Sequence, residues 1–212
     1  AAHAVALWPM VAVGEKKYYF SAMFAALTAY TDANNADVPY ESPSNKDLRI
    51  TATVLKDGTT VALDQQQAND VLNANGVITA INANGFKSWG NNTAAYPSTT
   101  DPKDRWWAVR RFFDWDGNNF IQTYFQKVDK PGNKRLIQSI VDSQNIIGNG
   151  YVARDYCAGY RVEFRSDENP VTNLLAGHLT VHTYLAPYIP AEYLENIREY
   201  DVDALESAIG GE

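Results

Sequence analysis

Three histidines, one cysteine and two carboxylates set two residues apart are the side chains in this 212-residue sequence best suited to chemistry. His178 and His182 stand four residues apart. On a helix they would share one face and could share one metal ion, but the run Gly177–Ala186 alternates as a strand does, which spreads them about 13 Å apart. They read as partly exposed sheet histidines. Asp114 and Asp116 invite comparison with an acid–base pair or a Mg²⁺ site. Asp114-x-Asp116-Gly117 lacks the further ligands of a calcium loop, and such carboxylates most often sit on a polar turn or a solvated helix face. Cys157 has no second cysteine to pair with and reads as a small buried hydrophobe, which suits assembly in a reducing cytoplasm. Lys16 and Lys17 read as solvated. There is no Gly-x-Ser-x-Gly elbow, Walker loop or Gly-rich dinucleotide fingerprint. These residues call for no metal and no cofactor. The catalytic alternative is a soluble enzyme with a carboxylate site at Asp114 and Asp116, which would need a deep pocket around them.

The elements that must carry these residues are mixed, giving an α+β (mixed α/β) class. Ala4–Val13 reads as a strand turning near Gly14, and Ser21 as the cap of a short apolar helix through Tyr30. Thr31–Lys46 reads as loop, Leu48–Leu55 as a strand and Asp57-Gly58 as a turn. Asp64 and Gln67 fit a capping box opening a helix that Gly76 ends. Val77–Ala83 reads as a strand, Asn84-Gly85 as a turn and Phe86–Asp101 as mostly loop. Asp101-Pro102 opens the main helical region, where Trp106, Val109, Phe113, Phe120 and Tyr124 lie near helical spacing. A helix continuing to about Gln126 must absorb Gly117 at a cost of roughly 1 kcal/mol. A second helix fits Pro131–Ile147 with Gly148 at its end. Strands are expected over Gly159–Arg165, Gly177–Ala186 and Tyr193–Val202.

With 45% hydrophobic and 20% charged residues the chain can build a core. No stretch approaches the roughly 20 apolar residues of a membrane helix. The net charge of −7 argues against nucleic acid as a partner. Its distribution is uneven. Residues 192–212 hold seven carboxylates and one arginine, a net of −6, whereas residues 103–135 hold eight bases and four acids, a net of +4. Two solvated faces would explain this, as would complementary surfaces meeting between subunits. The acidic C-terminal segment has a strand's alternation, and pairing with a partner's sheet edge would give its backbone a home.

Several short motifs, in order along the whole chain, resemble those of contractile phage tail sheath proteins. They are Glu41-Ser42-Pro43-Ser44-Asn45-Lys46, Leu72-Asn73-x-x-Gly76-Val77, Gly85-Phe86-x-x-Trp89-Gly90-Asn91-x-Thr93, Val109-Arg110-Arg111-x-Phe113-Asp114, and Pro187-x-x-Pro190-Ala191-Glu192-Tyr193, followed by Tyr200-Asp201-Val202 and Leu205. Asp116-Gly117-Asn118-Asn119 departs from the family's long helix. The resemblance implies a non-enzymatic structural subunit, the C-terminal, polymer-forming part of a sheath that surrounds a tail tube and contracts to drive it through the host envelope. It divides the chain into a core at 1–190, with 1–14 as a possible last strand of an upstream domain, and an inter-subunit arm at 191–212. The start at Ala1, without Met, fits a piece of a longer protein. Partners implied are other sheath subunits in rings or a helix, the tube, baseplate and tail terminator proteins, with no nucleic acid and no membrane. The location implied is the virion tail, assembled in the bacterial cytoplasm. Tyr193, Leu194, Ile197, Tyr200, Val202 and Leu205 would carry the arm's contacts. Arg110, Arg111, Lys134 and Arg135 would form a basic surface for it. A phage-tail-like bacteriocin or other injection system would use the same brick.

Overall fold

The computed structural model describes residues 1–210. Its elements are mixed helix and strand, with three small sheets. The first sheet joins β1 (Ala6–Leu7), parallel, to β5 (Val77–Asn82), and β5, antiparallel, to β6 (Phe86–Trp89). The second sets β2 (Met10–Val13) between β3 (Lys16–Tyr18) and β4 (Ala52–Val54), all antiparallel. Helix α1 (Phe20–Asn34) packs Phe20 and Phe24 against Val11, Leu48, Ile50, Ile78 and Ala80 in one core. A second core gathers Phe112 of α4 (Trp107–Tyr124), Tyr151 of α5 (Lys134–Ala153) and Cys157, Tyr160 and Val162 of β7 (Cys157–Glu163). β7 pairs antiparallel with β8 (His182–Pro187) in a two-stranded ribbon.

Several boundaries follow local chemistry. Asp64 and Gln67 form the reciprocal capping box of α2 (Gln65–Gln67), whose continuation ends at Gly76 with φ 73°. Asn84 and Gly85, both at positive φ, turn β5 into β6. Asp101 caps α3 (Pro102–Arg105), with Pro102 in its first turn.

Others differ from expectation. Ser21 lies inside α1 and caps nothing; the capping position is Tyr19, which offers no side-chain hydrogen bond. α1 continues to Asn34 where a loop was expected, because the Thr28 and Thr31 hydroxyls bond back to the Phe24 and Leu27 carbonyls at 2.7 and 2.9 Å and can be buried in the helix. The strand expected over Leu48–Leu55 shrinks to β4, since the Leu48 N–H pairs instead with Phe86 O at 2.7 Å. β6 forms at the start of Phe86–Asp101, where mostly loop is expected. Ser88 is fully buried, its hydroxyl bonded to Pro43 O, and Lys87 pairs with Asp47.

α4 runs unbroken through Gly117, where nothing lies within 4 Å of an added Cβ. Its deepest apolar residue is Phe112, not Phe113. α5 starts at Lys134 with Asn133 as its cap, and Gly148 does not end it. Its buried residues, Gln144, Gly148 and Tyr151, meet Tyr160 of β7, and Val141 and Ile147 pack beside them against the second core. β8 begins at His182, later than the alternation suggested, after the short α6 (Val171–Leu175). The strand expected over Tyr193–Val202 has no pairing partner among the described residues, and Val202–Ile209 is a helix, α7, capped by Asp201 Oδ1 on the Ala204 N–H at 2.9 Å.

Candidate assembly interface

Four of the sequence motifs, those around Pro43, Asn73, Trp89 and Glu192, meet at the root of the C-terminal segment. Ser42 Oγ donates to Asn91 Oδ1 at 2.6 Å, and Ser44 Oγ accepts from the Gly90 N–H at 3.0 Å. Asn45, at φ 57°, ties its N–H to Ser88 O. These bonds join the Pro43 turn to the Trp89-Gly90-Asn91 turn, and the two line a surface recess with Tyr40, Tyr188 and Tyr193. Gly90 sits at φ 130°, and a Cβ there would press on Asn73, so this close approach requires glycine.

Glu192 closes the recess. Its carboxylate accepts from Arg105 Nη2 at 3.3 Å and from Asn91 Nδ2 at 3.4 Å. Arg105 is held in place for this. Its guanidinium lies 4.5 Å from the Tyr96 ring and 4.1 Å from the Trp106 ring, and Nε donates to Asn92 Oδ1 at 3.0 Å. The segment is therefore tethered as far as Glu192. Replacing Glu192 with alanine should change unfolding stability by less than about 1 kcal/mol, as for other half-exposed ion pairs. It should also speed hydrogen exchange across 187–193. Unchanged exchange there would show that the carboxylate does not hold the root.

Beyond the tether the side chains contact little. Tyr193 is 81% exposed, Leu194 87%, Ile197 78% and Tyr200 74%. Residues 191–200 form neither helix nor strand. α7 places Val202, Leu205 and Ile209 on one exposed apolar side, with Asp203 and Glu206 between them.

The four expected basic residues divide into two pairs. Arg110 bonds Asp104 and Asp114, both at 2.9 Å, and Arg111 makes a two-pronged contact with Asp32. Both guanidinium groups are thus neutralised inside the chain. Lys134 and Arg135 are exposed in the first turn of α5 and have no ion pair among the described residues. Positive charge is disfavoured at a helix N-terminus.

Asp114 and Asp116 do not share a site. Asp114 meets Arg110 and, at 2.9 Å, His3 Nδ1 at the surface. Asp116 points into the second core, where its carboxylate accepts the Tyr160 hydroxyl at 3.0 and 3.1 Å. Gln144 Nε2 donates to the same hydroxyl at 2.6 Å. Burial pushes the Asp116 carboxyl above its ordinary range, with the Tyr160 hydrogen bond pulling the other way. Burial pushes the Cys157 thiol above its ordinary range as well. His182 contacts Glu168, and no group of three or more metal-ligating side chains occurs among the described residues. No helix among them is long and apolar enough to cross a membrane.

This architecture is shared with contractile sheath assemblies. Over 96% of its length the chain superposes on 58% of a chain in the contracted sheath complex of the extracellular contractile injection system PVC, with a TM-score of 0.81 at 16% identity. Over 95% it matches 57% of a chain in the contracted helical sheath of the anti-feeding prophage AFP, at TM-score 0.76 and 20% identity. No family model matches the sequence. Curated relatives give the narrower identity. The tail sheath protein of Burkholderia phage BcepMu is 30% identical over 80% of this chain and 36% of its own length. That of Escherichia phage P2 is 31% identical over 59% of the chain and 31% of its own length. The major tail sheath protein of Serratia phage KSP20 is 25% identical over 95% of the chain and 51% of its own length. The chain is a homologue of the phage tail sheath proteins, and it spans about a third to a half of the length of these relatives.

Proposed function

We propose that the chain is the inner, polymer-forming part of a contractile phage tail sheath subunit, a structural protein and not an enzyme. The observation that carries this reading is the exposed segment beyond Glu192. An isolated chain gains nothing by presenting Tyr193, Leu194, Ile197 and Tyr200 to water on an unpaired backbone. Polymerisation buries them, with the segment adding a strand to a neighbouring subunit's sheet while Glu192 fixes where it leaves the core. Division into a core at 1–190 and an arm at 191–212 follows from this reading, and Val202 and Leu205 extend the arm's apolar contacts.

Subunits so linked would form rings or a helix around a tail tube, in contact with baseplate and tail terminator proteins, as part of the virion. Contraction would be a change between two packings of near-rigid subunits that the arms keep connected, with no nucleotide hydrolysis. The basic surface available to the acidic arm reduces to Lys134 and Arg135, because Arg110 and Arg111 are already paired. The phage reading is favoured over the sheath of a phage-tail-like bacteriocin or injection system by the curated phage relatives.

Negative-stain electron microscopy of the intact subunit, alone and after deletion from Tyr193 onward, tests this. Hollow tubes that disappear on deletion are expected. A parent protein that stays monomeric under all conditions would overturn the sheath reading, and tubes that survive deletion would remove the arm's role.

A further inference from the structure

We propose that helix α7 of a second copy seats its apolar side in the cleft between the C-terminal end of α4, the start of α5 and the loop entering β8, where rim lysines pair with its carboxylates. This rests on the sheath reading and assigns a seat to the one helix that stands clear of both cores.

The cleft has a volume of about 1050 Å³. Phe120 and Tyr124 of α4, Leu136 and Ile140 of α5, and Phe164 and Leu179 give it an apolar floor. Of these only Tyr124 is buried; the others keep part of their surface open, Leu179 37% of it. Lys127, Lys130 and Lys134 stand at the rim, all exposed, and none has an ion pair among the described residues. Asp129 is the carboxylate among them, so three cations against one anion leave the rim at +2. Lys134 also lies in the first turn of α5, where the helix dipole disfavours a cation, and an acidic neighbour would offset that.

α7 has the complementary composition. Its eight residues make a rod about 12 Å long. Val202, Leu205 and Ile209 share one side, 54%, 40% and 74% exposed. Asp201, Asp203 and Glu206 give it and its cap three carboxylates, with no base. A helix this short is marginal in water without a packed face, yet every residue from Asp201 to Gly210 is exposed in its own chain. Apolar burial and charge pairing thus favour the same contact. Two α7 helices packed on one another would also bury the apolar side, but they would set carboxylates against carboxylates.

Geometry selects a second copy. The arm leaves the core at the Glu192 recess, which includes Asp155, just past the end of α5, whereas the cleft lies at the first two turns of that helix. The two are about 25 Å apart along α5. Tyr193–Asp201 reaches about 30 Å only when fully extended. To dock its own α7, a chain would have to run this whole stretch straight back along its core, and Tyr193, Leu194, Ile197 and Tyr200 stand away from it. A neighbouring copy imposes no such path.

The test uses tubes assembled from an equal mixture of unlabelled and isotopically labelled intact subunit, treated with a zero-length carbodiimide cross-linker. Expected are linked peptides joining Asp203 or Glu206 to Lys127, Lys130 or Lys134, about half of them pairing a labelled with an unlabelled chain. Links confined to same-label pairs would place α7 on its own chain, and tubes without such links would leave the cleft to another occupant. Either result overturns the proposal while the sheath reading stands. A parent that forms no tubes sinks the sheath reading, and this proposal with it. Charge reversal is the second measurement. Lys127→Glu, Lys130→Glu and Lys134→Glu together should cut tube yield about tenfold at low ionic strength, with the monomer melting within a few degrees of the parent. Adding Asp203→Lys and Glu206→Lys should restore most of the yield. Tubes that form normally with the lysines reversed, or that are not restored by the second pair, would also overturn it.

Discussion

Gly148→Ala should destabilise the chain by about 3 kcal/mol, at the upper end of what overpacking costs. The added Cβ would land on Cδ1 and Cγ of the Tyr160 ring, within the second core, where neither partner has room to yield. Tyr160 packs edge-on against Tyr151, 5.8 Å between centroids, and its hydroxyl is held by Gln144 and Asp116. Relief would require α5 to lift from β7, which would also pull Asn145 from Val162. Two other helical glycines serve as controls. A Cβ at Gly117 meets nothing within 4 Å, and one at Gly150 meets only Arg154 Nη2 at 3.9 Å. Alanine at either should stabilise by about 0.5–1 kcal/mol through helix propensity alone. Urea unfolding of the three variants gives the comparison. A G148A chain that unfolds at the parental urea concentration would show that α5 and β7 do not approach this closely.

Gly148 also shows where the sequence stopped being legible. A glycine at the end of an apolar helical run has the chemistry of a helix stop. Only the tertiary partner, an aromatic ring from a strand 12 residues further on, reveals that it makes room for contact. Where the signal is local, as in the Asp64–Gln67 box, the Asn84-Gly85 turn and the Asp101-Pro102 start, sequence and structure agree, because the groups that decide the outcome lie within a few residues. The motifs of the Pro43 turn, the Trp89 turn and Glu192 could each be read as an ordered loop. Their convergence on one recess depends on bonds spanning 49 residues for Ser42–Asn91 and 87 for Arg105–Glu192. Alternation over Tyr193–Val202 suggested a strand, yet a strand exists only beside another. Arg110 and Arg111 were legible as charges, but Asp32, which neutralises Arg111, lies 79 residues away.

Asp116 shows the same limit in chemical form, since its neighbours in sequence suggested a polar turn and its neighbours in space are aromatic. Tyr160→Phe should cost about 2–4 kcal/mol at neutral pH, and part of that cost should vanish on acidification. The substitution leaves the Asp116 carboxylate and the Gln144 amide without their shared partner, and each buried unsatisfied group costs about 1–3 kcal/mol, more when charged. Burial raises the folded-state pKa of Asp116 above its unfolded value, so between those values the folded chain holds more protons than the unfolded one. Stability therefore falls as pH rises through that window, and the penalty is complete above the folded pKa. The Tyr160 hydroxyl limits this penalty by bonding the ionised form. Removing it should raise the Asp116 pKa further, so the difference between parent and Y160F should be largest near pH 7.5 and smaller near pH 4.5. The contribution of Gln144 should not vary with pH, because an amide does not titrate. Asp116→Asn separates the two: it should remove the pH-dependent part of the Y160F effect and leave the rest. Equal destabilisation by Y160F at both pH values would mean that the hydroxyl supports Gln144 alone and that the carboxylate finds its stabilisation elsewhere.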